Sequence, residues 1–197
     1  MSVLSKIEIS ERLIKSIDDP KKLVITPLLN KNFDHDAVDL SLGCYFRSPA
    51  VSSIDCIRPY VDAEDYYPEL VHKLYRPEKN KQEVNNGAYI LQPHHSVLAS
   101  TFEYIKMPSD VSGQILTKSS WARVFISIAS APWIHPFFRG CLTLEITNLG
   151  NVPVALPIGK PIAQLVLMSV EMGCPPTEDV IEGRYAGAIM PESPCFK

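Results

Sequence analysis

Leu142-Thr143-Leu144-Glu145-Ile146-Thr147-Asn148 alternates apolar and polar side chains without a break. A period of two belongs to a strand with one buried face, so Leu142, Leu144 and Ile146 point to the core and Thr143, Glu145 and Thr147 point away from it. Working outward, strand-length pieces recur at 89–91, 97–104, 113–117, 124–129, 141–148, 152–156 and 162–170. Turn sequences such as Asn148-Leu149-Gly150-Asn151 and Pro157-Ile158-Gly159-Lys160 divide them. Proline reinforces this division: the chain has 17 in 197 residues, against a usual share of about 5%, and proline interrupts helices and central strands. The pattern predicts an all-β fold, one closed or sandwiched unit with one or two short helices. One helix is expected over 11–17 behind Ser10 as N-cap, with Ile9 stapled against Ile14. A second is expected over 68–75, where Pro68 opens a run with Leu70, Val71 and Leu74 at helical spacing. The charged stretch 76–87 reads as an exposed loop.

Composition limits the function. Lys and Arg number 19 against 22 Asp and Glu, for a net charge of −3, and 46% of residues are hydrophobic. Such a chain builds one ordinary core, and its charge argues against a nucleic-acid partner, because backbone phosphates are met by clustered Lys and Arg. The longest apolar run, 124–134, contains Ser and Pro and falls short of a bilayer span, and the first ten residues lack a signal-peptide core. Five separated cysteines without a C-x-x-C pair suggest reduced thiols, not a disulfide framework or a zinc knuckle. A cytoplasmic protein with no membrane partner is the expectation.

Two stretches carry chemistry. Lys118-Ser119-Ser120-Trp121-Ala122-Arg123 offers two cations and two hydroxyls within six residues, a set that can converge on phosphate oxygens or form a polar strand end followed by a solvated arginine. Glu145 is either a solvent-facing sheet carboxylate or a general base in a partly desolvated cleft. Periodicity leaves both pairs of alternatives open. Asp39 reads as structural, accepting hydrogen bonds at a strand end. His94-His95 reads as a surface turn, and Trp121 and Trp133 as core or interface aromatics.

The run from Lys118 to Glu145, with K-S-S-W-A-R, S-A-P-W-I-H-P-F-F-R-G and L-T-L-E-I-T-N, resembles the core of dCTP deaminases and their bifunctional dCTP deaminase/dUTPase relatives in the dUTPase-like superfamily. Val24-Ile25-Thr26-Pro27 with 37–43, Leu91-Gln92-Pro93 with 99–101, and Gly159-Lys160-Pro161-Ile162-Ala163-Gln164-Leu165 are similar to further segments of that family. The resemblance implies a single domain over 1–197 with a C-terminal arm at 174–197. It also implies a distorted β-barrel, a homotrimer with active sites at subunit interfaces, and a triphosphate bound with Mg²⁺. The implied reaction is hydrolytic deamination of dCTP to dUTP and ammonia. Glu145 would be the general base, with Arg123 and Ser119 orienting water and the tetrahedral centre. Lys118 and Ser120 would lie near the phosphates, with Gln164, Arg184 and Tyr185 also contacting nucleotide. The backbone of Ala131 would meet the base or water, Trp133 would wall the base pocket, and His135 would reach a sugar hydroxyl or sit in a surface turn.

No protein metal ligands are implied, and the H-x-E and P-C-x-x-C elements of zinc deaminases are absent. His135 stands where family members carry Asp, Pro132 where bifunctional ones often carry Gly, and the segment after Gly183-Arg184-Tyr185 is shortened. A dUTP-type pyrophosphatase, a bifunctional deaminase/dUTPase, or a non-catalytic nucleotide-binding trimer that takes dCTP, dUTP or dTTP are the alternatives.

Overall fold

A computed structural model describes residues 2–28, 36–49, 70–74, 87–128, 131–171 and 187–192. The chain begins with helix α1 (Lys6–Ile14), which starts five residues ahead of the expected 11–17. Ser5 and Glu8 form a complete capping box, in which the Ser5 hydroxyl accepts the Glu8 N–H and the Glu8 carboxylate accepts the Ser5 N–H at 2.8 Å. The hydroxyl of Ser10, the expected cap, bonds back to the Lys6 carbonyl inside the helix. The expected staple does not form either, since Ile9 is buried while Ile14 is 84% exposed. Arg12 instead ties the helix to the turn at residues 109–110 through two hydrogen bonds to Asp110, at 2.8 and 2.9 Å.

The strands follow as β1 (Val24–Thr26), β2 (Ala37–Pro49), β3 (Leu70–Leu74), β4 (Ala88–Leu91), β5 (Ser96–Lys106) and β6 (Val111–Thr117). After a one-turn helix α2 (Ser119–Ala122) come β7 (Ile126–Ile128), β8 (Trp133–Ile134), β9 (Arg139–Asn148), β10 (Val154–Pro157) and β11 (Pro161–Ser169). The second expected helix is thus a strand: β3 pairs antiparallel with the far half of β2, from Tyr45↔Leu74 to Pro49↔Leu70. A 13-residue β2 presents unsatisfied backbone groups along its edge, and pairing with them overrides the local helical spacing. The strand expected over 124–129 starts only at Ile126, because Phe125 adopts a left-handed backbone (φ 62°) that ends the turn after α2, and residue 129 lies outside the described residues.

Nine strands form one antiparallel sheet in the order β7-β9-β5-β2-β11-β6-β8, with β1 added on β5 and β3 on β2, while β10 and β4 pair separately. The sheet curls until β6 meets β7: the Thr117 hydroxyl accepts the Ile128 N–H at 2.8 Å and donates to the Ile128 carbonyl at 3.2 Å. The distorted barrel encloses Val38, Leu40, Leu42, Leu144, Ile146, Leu165 and Leu167 in its core. Burial on β9 alternates as the sequence period requires, with Leu142, Leu144 and Ile146 inside and Thr143, Glu145 and Thr147 only half-buried.

At the end of β9, buried Asn148 holds three chain segments. Its amide donates to Leu91 O at 3.1 Å and Val152 O at 2.9 Å, and its Oδ1 accepts the Gly150 N–H at 2.9 Å. Replacing Asn148 by Ala strands these groups, and we expect a loss of about 2–3 kcal/mol in unfolding free energy by urea titration. A loss below about 0.5 kcal/mol, within the range of an ordinary surface substitution, would contradict this role.

Candidate active site

The corner after β6 is built from backbone bonds. Trp121 N and Ala122 N donate to Lys118 O, at 2.9 and 3.1 Å, and Arg123 N donates to Ser119 O at 3.1 Å. The Trp121 indole N–H anchors the turn to β11 through Pro161 O at 3.0 Å. With its centre pinned, the turn presents Ser119, Ser120 and Arg123 to solvent. Lys118 is held differently: its Nζ donates to Asp39 Oδ1 at 2.5 Å, and the Gln164 amide donates to the same oxygen at 3.3 Å. Asp39 does accept hydrogen bonds as expected, but from within β2 and at the candidate site itself.

Glu145 lies half-buried on the outer face of β9. Strand pairing sets it beside Leu98 of β5, and Leu98 in turn beside Arg47 of β2. The next residue, Ile146, pairs with Ile128 of β7, the residue held by Thr117 immediately before Lys118. The backbone that carries Glu145 is thus joined to β7 by strand pairing, and the backbone that carries Lys118 by the Thr117 side chain. The barrel closure brings both candidate segments to the two sides of one three-residue strand.

The remaining candidates fall elsewhere. Trp133 pairs with Gln114 on β6 and shares the outer face with Leu116, Gln164 and Asp39, where it is 42% exposed. Ala131 is exposed just before β8, and His135 just after it, in a turn where its carbonyl accepts the Phe138 N–H at 3.4 Å. Arg184 and Tyr185 lie outside the described residues. Within the C-terminal arm, residues 187–192 run beside β9: Gly187 N donates to Arg139 O, Cys141 N to Ala188 O, and Glu192 N to the Thr143 hydroxyl.

One acidic group had no sequence signal beyond its place in an apolar strand. Glu103 is buried in β5, where its Oε2 accepts the Ser41 N–H at 2.9 Å and its Oε1 has no hydrogen-bond partner among the described residues. Its backbone carbonyl accepts the Thr101 hydroxyl, which also accepts the Leu142 N–H and so bridges the register shift between β5 and β9. Burial pushes the Glu103 carboxyl above its usual range, and the charge of Asp39 adds to this, while the Ser41 hydrogen bond opposes it. Burial likewise raises the Cys141 thiol, with Glu103 and Cys44 reinforcing it, and both cysteines are free thiols. Among the described residues, no three His, Cys, Asp or Glu side chains are grouped to hold a metal ion. No helix among them is long and apolar enough to cross a membrane.

Residues 4–170 match the dCTP deaminase-like family. A Nanoarchaeum equitans protein named dCTP deaminase, dUMP-forming, is 36% identical over 171 residues, which cover 82% of this chain and 84% of that protein. The chain belongs to the dCTP deaminase family of hydrolases. A Haloarcula marismortui dCTP deaminase is 31% identical, with 86% of this chain and 78% of that one covered. Among solved structures, the 2'-deoxycytidine 5'-triphosphate deaminase of Agrobacterium tumefaciens superposes with a TM-score of 0.59 at 19% identity over 86% of this chain. The match spans about half of that longer chain, 48%. At that identity the likeness shows that this dCTP deaminase family member shares the fold of that protein.

The raised carboxyl of Glu103 has a measurable sign. A group whose folded pKa lies above its unfolded value contributes stability below the unfolded value, 4.5 for Glu, and loses it as pH rises through the folded one. Glu103→Gln keeps an acceptor for Ser41 N–H and does not titrate. Urea unfolding from pH 4.5 to 8 should show the variant gaining on the wild type as pH rises. Parallel stability curves would show that Glu103 titrates normally.

Proposed function

We propose that this family member hydrolyses the 4-amino group of dCTP, with Glu145 as the base that moves the protons of the attacking water. The support is the position of Glu145 and of Lys118 to Arg123 on either side of β7, in a chain whose relatives are named dCTP deaminases.

Water oxygen bonds to C4 of the cytosine while one of its protons passes through the Glu145 carboxylate to N3, giving a tetrahedral carbon. The second proton follows to the exocyclic nitrogen, the C4–N bond breaks, and ammonia leaves a C4 carbonyl. Ser119 and Arg123 orient the water and stabilise charge at the tetrahedral centre, as preorganised donors do. Lys118 and Ser120 receive phosphate oxygens, and the exposure of Ser119, Ser120 and Arg123 suits groups that bond a ligand. Trp133 walls the base, the backbone at Ala131 meets the base or water, and His135 stands at the sugar. Gln164, whose amide donates to Asp39 beside Lys118, adds a further nucleotide contact. Arg184 and Tyr185, outside the described residues, complete the proposed set of nucleotide contacts.

Mg²⁺ arrives on the triphosphate. The only carboxylate beside Lys118 among the described residues, Asp39, is engaged by Lys118 and Gln164, so the residues present do not build a protein site for the ion and no step runs through it. The working form is a cytoplasmic homotrimer with the site at a subunit interface. In its support, Leu116, Val124, Phe125 and Trp133 are large apolar side chains exposed on the single chain around this corner.

A second reading, release of dUMP and pyrophosphate, is favoured by the dUMP-forming names of relatives such as those of Nanoarchaeum equitans and Methanosphaera stadtmanae. Histidine at 135 removes the carboxylate that the family resemblance leads one to expect near the sugar, and weighs against it.

Incubation with dCTP and Mg²⁺ should release one ammonia per nucleotide, and chromatography of the products separates dUTP from dUMP with pyrophosphate. Glu145→Gln should lower kcat by about 10²–10⁴ while leaving the melting temperature near that of wild type. Equal ammonia release by both proteins would remove Glu145 from the reaction.

A further inference from the structure

We infer that Asp39 is the positioning residue for Lys118, fixing the ammonium, together with Gln164, in the place where it meets an incoming phosphate chain. The inference rests on the reading that Lys118 receives phosphate.

Three strands converge to make the clamp. Asp39 lies inside β2, Gln164 is its register partner on β11, and Leu116, two residues before Lys118, is the register partner of Gln164 on β6. The Lys118 Nζ and the Gln164 amide meet on one oxygen of Asp39, at 2.5 and 3.3 Å. The two side chains of the ion pair are only 25% and 22% exposed, so water screens them less than it screens a surface pair. A lysine left alone samples many rotamers, and its ammonium carries three donors. Asp39 takes one of these and leaves two for a ligand.

The charges around this corner make the arrangement informative. An aspartate beside an anion-binding lysine opposes the approach of phosphate, so its benefit to binding must come from order. Arg123 provides the contrast: it is exposed and no acidic side chain pairs with it among the described residues. The corner therefore has one cation fixed in advance and one left to adjust. Glu103 is buried behind the clamp with its Oε2 bonded to Ser41 N–H, and the Lys118 ammonium is bonded to Asp39.

The test measures dCTP kinetics and the binding of inorganic tripolyphosphate by calorimetry in wild type, Asp39→Asn, Lys118→Ala and the double variant. Asp39→Asn should raise KM for dCTP and Kd for tripolyphosphate by about tenfold, with kcat within about threefold, because a displaced positioning group weakens the contact it aims. The double variant should bind tripolyphosphate no more weakly than Lys118→Ala, since both changes remove one interaction. Gln164→Met, which keeps the carboxylate and the strand, should weaken tripolyphosphate by a smaller factor, about threefold. It serves as the readout if Asp39→Asn does not fold. Unchanged or tighter tripolyphosphate binding by Asp39→Asn, effects of Asp39 and Lys118 that multiply, or Gln164→Met binding like wild type would overturn the inference. Wild type that binds tripolyphosphate but releases no ammonia from dCTP would refute the proposed reaction and leave the clamp standing.

Discussion

The Thr117 side chain makes two hydrogen bonds to Ile128, one in each direction, and so joins the end of β6 to β7 where the curled sheet closes. Because β7 is only three residues long and pairs with β9 at Ile146, the closure sets the distance between two segments far apart in sequence. On one side the chain leaves β6 as Lys118 and turns through α2, which Trp121 fastens to β11. On the other, Glu145 stands on the outer face of a strand whose inner face is fully committed to the core. A register slip of one residue in β9 would turn Leu144 and Ile146 outward and Glu145 inward, so the hydrophobic core itself fixes where the carboxylate points.

The strands that carry the site were legible because their burial is one-sided. The alternation in 141–148 predicts which residues face out, and β9 follows it along its length. The segments at 113–117 and 162–170 likewise appear as β6 and β11. Local signals failed where a partner distant in sequence decided the outcome. Leu70, Val71 and Leu74 have helical spacing, but the exposed edge of β2 takes them as a strand. Ser10 is a good N-cap in isolation, yet Ser5 with Glu8 satisfies two backbone donors at once and starts the helix earlier.

Within the site the same division holds. Lys118, Ser119, Ser120 and Arg123 were visible as a cluster because they are adjacent in the chain. Asp39 was not, since only the pairing of β2 with β11 and of β11 with β6 sets it beside Lys118. Its signal in the sequence was a single charge at an outward position of an apolar strand, which is also the signature of an ordinary solvated residue. Glu103 left still less trace: alternation along β5 turns it inward with Val97, Ala99, Thr101 and Ile105, on the face where a carboxylate is least expected.

The proposed chemistry draws on both kinds of group. Glu145 stands on an interior strand of the sheet and Lys118 is bound by Asp39, while Ser119, Ser120 and Arg123 face solvent. Fixed groups at the reacting carbon and at one end of the phosphate chain would hold a nucleotide at two points, which is what positioning catalysis needs. The most direct test is a crystal structure of the Glu145→Gln variant with dCTP and Mg²⁺. The account predicts the cytosine C4 and its amino group within hydrogen-bonding reach of the side chain at 145, with phosphate oxygens on Lys118, Ser119 and Ser120. A nucleotide bound with its base remote from position 145, or its phosphates away from that turn, would contradict it.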